Sequence, residues 1–254
     1  MRKTSLVRIR LIPNKGDRAQ VIPFGDVHLG YPTTDVEMVR EVLDGCLRKR
    51  IYIVGMGDLI ECGLTTSVGD SVYQQKLNPQ EQMDEMVEML TPMAKDGLIL
   101  GLICGNHESR IAKSTSIDVT AMMCRLLKVP YLGFSCFHYW KVGEESYTAY
   151  SCHGASGARL PYTKIKSALD LFRFVDAECV LMGHVHSLDH MTQMYYRVDR
   201  RTKMMVEARR HAVLTGHFMD YEGSYAEMKL LPPSPPGIAK ISLYGKKHEI
   251  FVSL

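Results

Sequence analysis

The run Glu178-Cys179-Val180-Leu181-Met182 is apolar and strand-like, and it stops abruptly at Gly183-His184-Val185-His186. A run of this kind delivers two imidazoles to the rim of a sheet, where neighbouring loops can add further ligands. Four other runs end in the same way. Val21-Ile22-Pro23-Phe24 stops at Gly25-Asp26-Val27-His28, and Ile51-Tyr52-Ile53-Val54 stops at Gly55-Met56-Gly57-Asp58. Leu98 to Cys104 ends in Gly105-Asn106-His107-Glu108, and Thr148 to Cys152 ends in His153-Gly154. Only a fold that gathers several strand ends at one rim makes use of all five.

Each stop has a plainer explanation when taken alone. Asp26 and His28 are two apart, a spacing that points both side chains the same way in extended backbone, but an Asx turn beside a surface histidine would read the same. Asp58 carries two carboxylate oxygens and can bridge two cations, and Asn106 offers a neutral carbonyl oxygen. The adjacent His107 would point elsewhere and stay free for proton or charge work. Arg110 lies in reach of the same mouth and could grip a phosphate oxygen, with a surface salt bridge as the equal alternative. Taken together in their order along the chain, the metal-ligand candidates stand above their plain readings, while Arg110 stays evenly divided.

Between the runs the pattern is helical. Val36, Val39, Val42, Leu43 and Leu47 recur at helical spacing, and Asn78, Pro79 and Glu81 read as an N-cap, an N1 proline and a capping-box acid ahead of Met83, Met86, Val87 and Leu90. The methionines are read as core packing, since a thioether suits copper(I) better than an oxygen- and imidazole-rich set. Gly63 to Lys76 is expected to be a long loop on the side of the site. Thr115-x-x-Asp118 is read as the cap of a helix carrying Val119 to Leu127, His138 as a half-buried structural histidine, and Trp140 as packed between sheets. Leu160 to Phe174 is helical in period. Its Arg159, Lys164 and Lys166 are assigned to a solvated outer face, with the lining of a substrate groove as the alternative.

After His186 the chain becomes strand-rich. Thr192 to Val198 and Lys203 to Leu214 form a hairpin pattern carrying Arg197, Arg200, Arg201, Lys203, Arg209 and Arg210, which could track a phosphate backbone but more often serves solubility. The stretch 231–237 is a proline-rich connector. Ile238 to Leu243 and His248 to Val252 alternate like a hairpin that closes one sheet.

With 254 residues and 46% hydrophobic content, the expectation is one domain over 1–254, in which 187–254 is the strand-rich C-terminal part. The 31 basic and 28 acidic residues leave a formal charge of +3, too weak to establish nucleic-acid binding. Seven scattered cysteines without CxxC spacing argue for reduced thiols and a cytoplasmic location, and no apolar stretch suits a signal core or a membrane span.

The set Asp26-x-His28, Gly57-Asp58, Gly105-Asn106-His107-Glu108, His153-Gly154 and Gly183-His184-x-His186 resembles the calcineurin-like metallophosphoesterase superfamily, from about Val21 to His186. The resemblance implies an α/β fold, a four-layer α-β-β-α sandwich of two mixed β-sheets flanked by helices, and the alternation of strand and helix patterns agrees with it. It implies two divalent transition-metal ions, manganese first, with iron, zinc or nickel as alternatives. One would rest on Asp26, His28, Asp58 and His186, the other on Asp58, Asn106, His153 and His184.

His107 would be a catalytic histidine that is not a ligand, with Glu61 orienting it. The implied activity is hydrolysis of a phosphodiester by a metal-bridging hydroxide, on nucleic acid or nucleotides. Where the protein-phosphatase branch carries Gly-Asp-x-Val-Asp-Arg-Gly, this chain reads Gly57-Asp58-Leu59-Ile60-Glu61-Cys62-Gly63. Cys62 in place of that arginine counts toward diesters. A broad-specificity phosphomonoesterase and a non-catalytic binding module are the alternatives. Any homo-oligomer would form through the C-terminal hairpins.

Overall fold

The computed structural model describes residues 5–65 and 71–254. Two sheets form from strands that are distant in sequence. The first half of the chain contributes β1 (Ser5–Leu11), β2 (Arg18–Phe24), α1 (Val36–Lys49), β3 (Tyr52–Gly55), α2 (Ser71–Gln74), α3 (Pro79–Lys95), β4 (Ile99–Ile103), α4 (Asn106–Thr115) and α5 (Val119–Leu127). The second half adds β5 (Tyr131–Gly133), β6 (Ser135–Val142), β7 (Glu145–Cys152), α6 (Pro161–Asp170), β8 (Cys179–Met182), β9 (Leu188–Val198), β10 (Met205–His217), α7 (Tyr225–Met228), β11 (Gly237–Ile238), β12 (Lys240–Tyr244) and β13 (Ile250–Ser253).

One sheet has the order β13-β12-β2-β3-β4-β5, and the other β1-β6-β7-β8-β10-β11 with β9 also paired to β10. Both are mixed. β2, β3, β4 and β5 run parallel while β12 is antiparallel to β2. In the second sheet β7, β8 and β10 run parallel, β6 is antiparallel to β7 but parallel to β1, and β9 is antiparallel to β10. A parallel strand buried on both faces reads as a continuous apolar run; β3, β4 and β8 are such runs, with every residue buried.

The layers follow from which face each side chain takes. In β8, Cys179 and Leu181 join the core between the sheets, whereas Val180 and Met182 pack with Ile165 and Ala168 of α6 on the outer face. On the other side, Val39 and Leu43 of α1, Met86 and Leu90 of α3 and Met123 of α5 cover the first sheet. The α-β-β-α sandwich that the resemblance implies is present. The strands after residue 187 join both sheets, β9 to β11 one and β12 and β13 the other.

Local signals translate into local structure where chemistry is short-range. The Asn78 side chain accepts from the backbone N–H of Gln80 and Glu81 while the Glu81 carboxylate accepts from the Asn78 N–H, the expected capping box. The other cap differs: Asp118 alone caps α5, accepting from Ala121, and Thr115 closes α4 instead. In the Gly63 to Lys76 loop, Ser71–Gln74 forms a short helix, and 66–70 fall outside the described residues. Trp140 is fully buried between the sheets, as expected. All seven cysteines are free, and no helix among the described residues is long and apolar enough to cross a membrane.

His138 is not half-buried but 1% exposed, facing the inter-sheet core with Nε2 2.6 Å from Ser151 Oγ. Burial holds it neutral and lowers its pKa from 6.5 to about 4. The unfolded chain takes up this proton near 6.5, so between there and about 4 it binds more protons than the folded chain, and stability falls as pH falls through that window. The contribution present above the window is about 3 kcal/mol. Urea midpoints at pH 7.5 and 4.5 should therefore show a drop in the wild type that shrinks by most of this amount in His138→Gln; an equal drop in both would contradict it.

Candidate metal centre

The five sequence stops meet at one rim. Asp26 and His28 follow β2, Asp58 follows β3, Asn106 opens α4 after β4, His153 follows β7, and His184 and His186 follow β8. The backbone there is not extended. Asp26, His28, Asp58, His184 and His186 all have φ between 45° and 71°, the left-handed region that non-glycine residues rarely adopt. Asp26 and His28 therefore converge through a tight turn rather than through the two-residue repeat of a strand. Their turn is zipped to that of Asp58, with Val27 and His28 N–H both donating to the Asp58 carbonyl at 2.9 and 3.0 Å.

Glu108 holds this arrangement, and the motif reading overlooked it. Its carboxylate is 1% exposed and accepts from the backbone N–H of Asp58 (3.0 Å), Leu59 (2.7 Å), Ile60 (3.3 Å) and Gly105 (3.1 Å). Burial and the Asp58 carboxylate push its pKa up to about 7. Its two oxygens meet only donors, so the geometry favours the ionised form. A β-carbon on Gly105 would fall 2.1 Å from Asp58 Oδ1, so only glycine lets Asp58 lie against the start of α4. The signal for Glu108 was in the Gly-Asn-His-Glu motif, but an acid in the first turn of a helix reads as routine capping.

Tautomers follow from the outer hydrogen bonds. His153 Nδ1 donates to the Met56 carbonyl at 2.8 Å, leaving Nε2 as a lone pair, yet Nε2 faces Asn106 Oδ1 at 2.9 Å and Asp58 Oδ2 at 3.1 Å. Three acceptor atoms thus converge on one point, and a cation is what satisfies them. A proton is the smallest such cation: burial opposes it, but Asp58 raises His153 to about 10.

The second convergence is alike. His28 Nδ1 donates to Glu61 Oε2 at 2.9 Å, so its Nε2 lone pair faces His186 Nε2 at 3.0 Å, and His186 Nε2 is 3.4 Å from Asp26 Oδ1. Asp26 is fixed in turn by the His184 N–H at 2.8 Å. Two groups with metal-ligand geometry are Asp26, His28, His186 and Asp58, His153, His184. The donor set of imidazole, carboxylate and amide suits divalent transition metals.

His107 is less free than expected. Its backbone N–H donates to Asp58 Oδ1 at 2.8 Å, its ring lies 4.4 Å from that of His28, and with His28 and Asp58 it forms a third such group. Nδ1 is 2.8 Å from the Glu61 carbonyl and 3.1 Å from Glu61 Oε2, so Glu61 contacts this ring as well as that of His28. Glu61 is 3% exposed; burial works against its charge, but His107 and His28 hold it well below the carboxylate range. Arg110 Nη2 donates to His107 Nε2 at 2.9 Å, with Nη1 3.8 Å from Glu61 Oε1, so it stands at the mouth rather than in a distant salt bridge. Cys62 is fully buried, its thiol pushed far above its ordinary value by burial and by Glu108.

The three basic residues around the start of α6 divide. Arg159 and Lys164 line a cavity beside His184 and His186, whereas Lys166 pairs with Asp170 on the outer face. The basic hairpin lies elsewhere. His211 of β10 pairs with the first residue of β8, so residues 199–204 extend past the opposite end of the sheet, roughly 40 Å along the strand from His217. Arg210 there packs over Tyr195 and Phe172.

No family model matches the sequence, and no curated protein matches it. Among solved structures, the chain is similar to vacuolar protein sorting 29 from Cryptosporidium parvum, at 17% identity over 94% of this chain and 98% of that one, with a TM-score of 0.48. It is also similar to a conserved uncharacterized protein, a predicted phosphoesterase, from Streptococcus pneumoniae (12% identity, 92% and 88% covered, TM-score 0.41). A metallophosphoesterase from Sphaerobacter thermophilus matches at 14% identity, 92% and 86% covered, TM-score 0.40. These likenesses are low in identity and score, so the reading of the site rests on its own side chains.

Glu108→Gln turns one acceptor into a donor amid four N–H groups and should lower stability by about 2–4 kcal/mol. Added manganese should raise the wild-type Tm, and chelator should reverse it. In Glu108→Gln the manganese response should be largely lost. Thermal melts with and without metal check this; an unchanged Tm and metal response in the variant would contradict the role given to Glu108.

Proposed function

We propose that the chain is a dinuclear metal-dependent phosphodiesterase. The observation that carries this reading is the convergence of acceptor atoms from Asp58, Asn106 and His153, with the His28 and His186 Nε2 atoms 3.0 Å apart, beside the Arg110–His107–Glu61 array. Asp26, His28, Asp58 and His186 would hold one cation, and Asp58, Asn106, His153 and His184 the other. When bound, the cations neutralise phosphoryl oxygens and acidify water for in-line attack.

The chain's own groups do the rest. Arg110 donates to His107 Nε2, a contact available only while that nitrogen is unprotonated. A phosphate at the mouth offers Arg110 stronger, charge-assisted partners. Once the guanidinium turns to it, Nε2 is open to a proton. Burial lowers the His107 pKa, but Asp58 and Glu61 raise it above its ordinary value, so the ring can carry this proton and release it to the leaving oxygen. Glu61 keeps Nδ1 protonated and so directs Nε2 outward.

The charge count favours a diester. A monoester dianion calls for more cationic groups at the mouth than a diester monoanion. The place at which protein phosphatases carry an arginine is held by the buried Cys62, whose backbone N–H donates to Gln82 Oε1 at 2.9 Å. The cation in contact with the His107–Glu61 array is then Arg110, itself shared with both, while Arg159, Lys164 and Lys229 line a separate cavity beside His184 and His186.

Hydrolysis of bis(p-nitrophenyl) phosphate and p-nitrophenyl phosphate by manganese-loaded protein tests this, with chelator as control. Chelator-sensitive turnover should favour the diester. His107→Ala should lower kcat by roughly 10²–10⁴-fold with metal retained, and Asp58→Asn should lose both metal and activity. Preference for the monoester would turn the assignment to a phosphomonoesterase, and no turnover of either with metal bound would turn it to a binding module.

A further inference from the structure

Beside the metal-ligand histidines lies a cavity of about 400 Å³ to which Arg110 does not contribute. His184 and His186 are among the residues that line it. The loop 156–159 and α6 make one wall, and the segment 217–234 makes the other. Three cations line it, Arg159 and Lys164 on the first wall and Lys229 on the second, against a single carboxylate, Asp220. The same lining includes Tyr221 and Leu231, which are joined by a 2.9 Å hydrogen bond from the Tyr221 hydroxyl to the Leu231 carbonyl.

The cations on the first wall are not spent on local acids. Arg159 and Lys164 have no ion-pair or side-chain hydrogen-bond partner among the described residues, whereas Lys166, two residues on, is paired with Asp170. Lys164 is also half-buried. Burial lowers its pKa, which an anion beside it would offset. A scissile phosphate already finds its groups at the cluster and Arg110. Arg159 and Lys164 are therefore surplus to the reacting phosphate, and they line a cavity beside its cluster.

We propose that this cavity binds a second phosphate of the substrate, one nucleotide unit from the scissile one, and that the substrate class is a single-stranded nucleotide chain end bearing a terminal phosphate. This rests on the phosphodiesterase reading of the adjoining cluster. Arg159, Lys164 and Lys229 bind the neighbouring phosphate. The Tyr221 ring, tethered through its hydroxyl, offers a face on which a base can stack. The distant hairpin takes no part.

The test compares the dinucleotides TpT, pTpT and TpTp as substrates of the manganese-loaded protein. At least one phosphorylated form should exceed TpT in kcat/KM by about tenfold, the effect of one lost charge-assisted phosphate contact. In the Lys164→Ala, Arg159→Ala double variant the ratio of that form to TpT should fall to near one. Absence of any advantage in the wild type, or a ratio unchanged in the variant, overturns the proposal. Calorimetric binding of the same three dinucleotides to His107→Ala protein reads the cavity apart from turnover. Tighter binding of a phosphorylated form, abolished by the two alanine substitutions, supports the cavity even if no diester is hydrolysed, which would instead sink the phosphodiesterase reading. Equal binding of all three overturns the cavity's role.

Discussion

Five chemistry-bearing residues held in left-handed backbone set the terms for the rest of the structure. Asp26, His28, Asp58, His184 and His186 each sit where a β-carbon is crowded, at a cost on the order of 1–3 kcal/mol apiece. Such turns persist only when surrounding groups over-determine them. Glu108 does so for Asp58 through four backbone N–H groups, and Asp26 does so for His184. The parallel strands beneath are buried on both faces, which keeps the turns from relaxing by sliding. Strain, burial and carboxylate anchors thus serve one arrangement, in which lone pairs from different strands meet.

The electrostatics follow from that arrangement. Buried carboxylates and imidazoles share a small volume, so each fixes the protonation of its neighbours. Burial opposes charge on both Glu61 and His153, yet Glu61 is held ionised by the two histidines that donate to it, and His153 is raised to about 10 by Asp58. These shifts describe a site that attracts positive charge at its centre. The cavity beyond His184 and His186 has the opposite character, with three cations against one acid.

Much of this was legible in the sequence because the signals were short-range. Apolar runs ending at glycine beside Asp, Asn or His mark strand ends, and their order carried the ligand candidates; Asn78, Pro79 and Glu81 marked a cap that is present. What escaped was long-range or conformational. No local pattern tells that Glu108 reaches back about fifty residues to the Asp58 turn, that Asp26 and His28 turn left-handed, or that Arg159 and Lys164 face a cavity while Lys166 does not. The basic hairpin, whose composition fits solubility better than a phosphate track, lies where only strand register could tell, at the far end of the sheet.

The central claim is that seven side chains from both sheets hold two divalent cations. Equilibrium dialysis against manganese, followed by elemental analysis, tests it most directly. The account predicts two ions per chain in the wild type and a loss of both in Asp58→Asn, whose carboxylate both sites share. Binding of fewer than one ion per chain in the wild type, or undiminished binding in Asp58→Asn, would contradict it.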